Sequence, residues 1–153
     1  MIFGFNIEKM AKFAERQINE FLNIHTSEVF YAFAIDDGLL CLNSLEEFKN
    51  TLKKYQEADE RYRRDEEIED LKYNTGDWGY QGFASLNDSP GYNVSLYKKF
   101  YQRGFYGATE QELKSTKYYT AMCKLMKVLE ESETFKRIPK TTDFKTFVVY
   151  GND

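Results

Sequence analysis

The stretch VFYAFAI-DDG-LLCLN, residues 29 to 43, constrains the chain more than any other. Residues 29 to 35 are apolar, aromatic and β-branched, as a mostly buried strand should be. Asp36-Asp37-Gly38 is a turn signal, and its glycine supplies the positive φ that primed hairpin turns need. Two apolar arms cannot both be buried unless other elements cover them. This is the best hairpin in the sequence. Asp36 and Asp37 form a carboxylate pair, but turn chemistry accounts for both.

What can cover the hairpin is legible on either side. Ile7, Met10, Ala11, Ala14, Ile18, Phe21 and Leu22 repeat at three and four, which predicts a helix over 7–22 with Asn6 as N-cap. Ser44-x-x-Glu47 reads as a capping box opening a second helix, buried along Leu45, Phe48, Leu52 and Tyr55 and running to about residue 64. Residues 67–74 alternate imperfectly and suit a strand, broken at Gly76. NDSPG, 87–91, is a loop. A short helix is expected near 93–103 with Gly104 as its stop. Thr109-x-x-Glu112 is a second capping box, and one long helix should follow to about 130, buried along Leu113, Ala121, Met122, Leu125, Val128 and Leu129. TFVVYG, 146–151, reads as a closing strand. The expected fold is α+β in one domain of 153 residues: an antiparallel sheet with helices packed on one or both faces.

Several chemistries lack their parts. The chain has one histidine, His25, expected at a helix end or surface, and no Gly-x-Ser-x-Gly elbow. Cys41 and Cys123 are far apart in apolar surroundings, which reads as two reduced, buried thiols of a cytosolic protein. Neither zinc spacing, a Walker pattern nor a dinucleotide fingerprint occurs, so no cofactor and no metal is expected. A carboxylate-only hydrolase or a magnesium site on Asp36, Asp37 and Asp77 stays open. The N-terminus does not read as a signal peptide, and no apolar run reaches the length of a membrane span.

Charge and aromatics then carry the functional reading. Residues 57–70 hold eight acids and three arginines, a local charge of −5 in a chain of −4. Such a patch suits a basic partner, with Glu66, Glu67 and Asp70 as contact residues. Tyr97, Phe100 and Tyr101 interleave with Lys98, Lys99 and Arg103, a mixture suited to single strands, but the acidic balance of the whole chain weighs against nucleic acid. Two glycine–aromatic segments remain: 76–83, with Asp77, Trp78, Tyr80 and Phe83, and GFYG at 104–107. Each either packs into the core or takes a ligand or protein.

FYAFAIDDGLLCLNS, DWGYQGF and the TFVVYGND end together resemble a bacterial family known as domain of unknown function 4303. The similarity runs from about residue 7 to 150. It implies an amino-terminal helix, a YAFA-like strand with an acidic turn, and a tryptophan followed by an aromatic; it carries no active residues over. Small acidic bacterial proteins of this style often prove to be immunity proteins of toxin systems. The expected work is therefore protein binding without catalysis, in the cytoplasm, with a basic toxin as partner. The alternative is a small-molecule site or carboxylate-based enzyme at Asp77, Trp78 and Tyr80.

Overall fold

The structure, a computed structural model, describes residues 4–150. Helix α1, Ile7–Ile24, starts where Asn6 accepts from the Lys9 N–H at 3.0 Å. Its buried stripe is Met10, Ala11, Ala14, Ile18, Phe21 and Leu22. Strands β1, Phe30–Asp36, and β2, Leu39–Ser44, form the expected hairpin, with Asp37 (φ 50°) and Gly38 (φ 82°) in its turn. Every residue of β1 is buried.

Helix α2, Leu45–Ala58, is shorter than the spacing predicts. Asp59 leaves helical backbone and turns its carboxylate onto the Arg61 N–H, starting a 3₁₀ turn at Glu60–Arg63. The strand expected over 67–74 is instead helix α3, Asp65–Tyr73. Ile68 and Leu71, on opposite faces of a strand, share a face of a helix, and three acids in the first turn suit its dipole. Strand β3 is Tyr80–Ser85.

Helix α4, Val94–Phe105, runs past Gly104; the stop is Gly107, at φ 82°. The second capping box forms as expected, but the helix it opens, α5 (Glu110–Lys114), ends after five residues. Thr116 then caps a new helix, α6, Lys117–Glu130. Within the expected stripe Val128 is 44% exposed, and Met126 and Tyr118 are buried instead. Cys123 lies on the outer side of α6 and is exposed, a correction to the expected burial. Helix α7 is Glu133–Arg137, and strand β4 runs over Lys140–Val149. Gly151 of the expected last strand lies outside the described residues.

The fold is α+β, with sheet order β3-β2-β1-β4. Where the hairpin led us to expect antiparallel pairing throughout, β4 runs parallel to β1 and the sheet is mixed. A parallel neighbour needs a long connection, and α4–α7 carry the chain from one sheet edge to the other. Helices cover both faces. Phe30, Phe33, Ile35, Leu40 and Leu42 meet α1 and α4–α7 in the larger core. Tyr31, Ala32, Ala34, Cys41 and Trp78 meet Leu45, Phe48, Tyr73 and Phe147 in the smaller one, under α2 and α3. Burial there pushes the Cys41 thiol up to about 12. Among the described residues no helix is long and apolar enough to cross a membrane.

Candidate functional site

The tryptophan segment is built from its turn outward. Asn74 accepts from the Gly76 N–H and opens a 3₁₀ turn, Thr75–Asp77, that leads into β3. The buried Thr75 hydroxyl donates to Asp36 at 2.7 Å, so this turn is tied to the hairpin end. Trp78 is 5% exposed. Its indole stands edge-on to Tyr31 and Phe147, and its N–H donates to the Lys72 carbonyl at 2.9 Å. The Tyr31 hydroxyl donates to the same carbonyl and accepts from Asn43, whose Oδ1 takes the Gly79 N–H. Asp77 points elsewhere: it accepts from Asn74 and from the Tyr55 hydroxyl. That hydrogen bond is the main cause that pushes the Tyr55 phenol up to about 12.

Tyr80 and Phe83 pack on the other sheet face, against Phe21 of α1. Three apart in a regular strand they would face opposite ways. The register with β2 slips between Leu40 and Leu42, and Gly82 takes φ 67° there. This bulge turns both rings the same way.

Around the Tyr80 hydroxyl lies a polar cluster that sequence reasoning missed. Glu28, half-buried just before β1, accepts from Tyr80 at 2.7 Å and from Ser44 at 2.8 Å, and lies 3.0 Å from His25 Nδ1. Burial raises the Glu28 carboxyl, but the three hydrogen bonds outweigh it and hold it below its ordinary value. Burial first, then Glu28, pushes the Tyr80 phenol up. His25 caps α1 as expected at a helix end, its ring stacked on Phe21 at 4.2 Å. Ser44 does cap α2, but Glu47 does not return the contact to Ser44; it lies 3.4 Å from the Tyr80 hydroxyl. A Cβ on Gly79 would sit 2.5 Å from Glu47 Oε2, so the close approach of backbone at this glycine serves the protein's own carboxylate. With three side chains already donating, Glu28 joins α1, the β2–α2 junction and β3. The only sequence signal for it was Ser44, which was read as a cap alone.

The sequence-predicted site residues are thus not gathered. Asp77, Trp78 and the Tyr80–Phe83 pair point into three different surroundings. Glu66 and Asp70 are exposed and Glu67 half-buried on α3. Asp36 is buried at the hairpin end and Asp37 is in its turn. Among the described residues no group of three or more His, Cys, Asp or Glu side chains is placed to hold a metal ion.

The second glycine–aromatic segment is open. Phe105 is 75% and Tyr106 82% exposed, with Tyr101 at 60% a turn earlier. Asp37, Phe100, Gly104, Leu113 and Tyr150 line a cleft of about 290 Å³ with Tyr101 and Phe105. Among the further clefts along α4–α6 are three of about 300, 350 and 370 Å³, beside one of about 310 Å³ on α4 at Tyr97 and Tyr101. None of these five takes a residue from 76–83.

A family model described as "Domain of unknown function (DUF4303)" matches residues 10–152, nearly the whole chain. No curated protein and no solved structure matches it.

Proposed function

Since the chain belongs to the family of domain of unknown function 4303, its function has to be read from its own surfaces, and we propose that it is a non-enzymatic, cytoplasmic protein that binds a basic protein, as an immunity protein binds its toxin. The observation that carries this is the acidic ridge from the end of α2 to α3. Glu57, Asp59, Glu60, Asp65, Glu66, Glu69 and Asp70 are all exposed there. Among the described residues one ion pair lies within it, Arg61 to Asp59. The ridge is held in place from beneath: Leu71 is buried, and Tyr62 packs edge-on to Tyr55 at 4.8 Å. A fixed row of like charge attracts an oppositely charged partner and speeds its encounter.

The test uses the basic product of an adjacent open reading frame as partner. Glu66→Lys, Glu67→Lys and Asp70→Lys together should slow association at low salt by about tenfold or more, with dissociation changed far less. An on-rate untouched by this triple reversal at low salt removes the basis for the reading.

A further inference from the structure

The sheet separates charge as well as cores. While 57–70 carries −5 on one side, residues 94–130 on the other hold seven cations against three acids. The net charge of the whole chain, which weighed against nucleic acid, is therefore not the charge of either face.

The cations form a track. Lys99, Arg103 and Lys117 line one cleft, with Phe100 and Tyr118 among its other walls. Lys117 and Lys124 line the next, and Lys114, Lys124 and Lys127 the third. The first two clefts share Ser115 and Lys117; the second and third share Thr120 and Lys124. Of these six cations Lys114 has an ion pair among the described residues, with Glu110. Lys117 to Lys127 span about 15 Å of α6 at the helical rise. At the α4 end of the track stand the open rings of Tyr101, Phe105 and Tyr106.

We propose that this track binds single-stranded nucleic acid, with phosphates on the cations of α4–α6 and bases stacked on the α4 rings. Open rings beside a row of exposed cations, five of the six without an ion pair among the described residues, are the two parts such binding needs, because every base has a π-face and every linkage a charge. An acidic protein surface would fit less well, since a protein interface centres on a desolvated apolar patch with charge around it. Here the cations run on along α6, away from the rings. A duplex keeps its bases stacked and offers the rings nothing.

The full chain is titrated by fluorescence anisotropy against a labelled oligothymidylate of about 12 nucleotides, within the usual range of single-strand sites. Between about 50 and 200 mM salt the log–log slope should be steeper than about −2, at about −0.7 per phosphate neutralised. Lys117→Glu with Lys124→Glu should weaken binding at least about tenfold and flatten that slope. Tyr101→Ala with Phe105→Ala should weaken it at least about fivefold and leave the slope as it was. All four side chains are exposed; should the glutamate pair fail to fold, Lys117→Gln with Lys124→Gln gives the same readout. No binding at the lowest salt overturns the proposal. So do ring variants that bind like the parent, or a polyglutamate of equal charge that competes as well as the oligonucleotide. The acidic-ridge reversal lies on the opposite sheet face and does not weaken this binding, so the two readings fail separately.

Discussion

The chain has two short segments made of the same materials, glycines between large aromatic rings, and the fold uses them in opposite ways. At 76–83 the rings go inward: Trp78 into the smaller core, Tyr80 and Phe83 into the larger. At 104–107 Phe105 and Tyr106 touch each other and face solvent. The difference lies in what waits for the polar atoms. The indole N–H of Trp78 finds the Lys72 carbonyl, supplied by α3 just ahead of the segment, and the Tyr80 hydroxyl finds Glu28, supplied from before β1 and far away in the chain. Buried Trp and Tyr need such partners for their polar ends. Composition marks a segment as unusual; only the acceptors placed around it decide whether it is core or surface.

The largest effect that tests this contrast is at Trp78. Trp78→Ala should cost about 3–5 kcal/mol in denaturant unfolding, from lost burial and the cavity left between Tyr31 and Phe147. The Lys72 carbonyl keeps the Tyr31 donor, so the hydrogen bond adds little to that loss. A cost below about 1 kcal/mol would place Trp78 with the surface rings and end the comparison.

Glycines sharpen it next. Gly82→Ala forces a side chain into φ 67° and brings its Cβ within 3.3 Å of Leu39, for about 1–2 kcal/mol of destabilisation. Gly104→Ala, inside α4 with its nearest neighbour 4.0 Å away, should instead stabilise by about 0.5 kcal/mol. Thermal unfolding of the two variants should therefore move in opposite directions; shifts of the same sign would mean that the two backbones do not differ as described.

How far these segments were legible follows from the range of the interactions. The hairpin turn and four caps, at Asn6, Ser44, Asn93 and Thr109, rest on neighbours within four residues, and of these the turn, Asn6, Ser44 and the Thr109 box are legible in the sequence. The strand expected over 67–74 failed because Ile68 and Leu71 fit either period until α2 is there to pack against. The helix to 130 breaks at Ser115, whose hydroxyl turns back to the Glu112 carbonyl, a choice the apolar spacing does not record. The Glu28 cluster was invisible for a different reason. Its donors come from residues 25, 44 and 80, joined only when the sheet forms. The separation of charge across the sheet was hidden likewise, since a sum over the chain carries no direction.

Tyr80→Phe probes the polar end of the inward segment and should cost about 1 kcal/mol at neutral pH. The sign with pH is fixed by Glu28, whose carboxyl lies below its ordinary 4.5 in the folded protein. Its contribution is full above 4.5 and is lost as pH falls through the folded value. Removing a donor moves that value back up, so the gap between parent and variant narrows as the medium is acidified. On the alkaline side, Tyr80 lies above its ordinary 10.0, and the parent's advantage fades as pH rises beyond it. Chemical denaturation from about pH 6 to about pH 3 follows the acid limb; a gap that widens there would mean that Glu28 is not held ionised by this bond.

The smallest expected effect belongs to the outward segment and bears most on function. Phe105→Ser with Tyr106→Ser should change unfolding stability by no more than about 0.5 kcal/mol, because exposed side chains away from caps and cores contribute little. Large rings at 75% and 82% exposure that do nothing for the fold are surface held open at a cost in solubility. If the double variant is instead destabilised by 1 kcal/mol or more, roughly the scale of a packed contact, the rings belong to the core around Phe100 and Leu113. The outward segment would then be a second, looser copy of the inward one, and the docking role assigned to it would lose its footing. A variant that stays as stable as the parent but loses the oligonucleotide separates the two segments completely, one spent on folding and the other left for a partner.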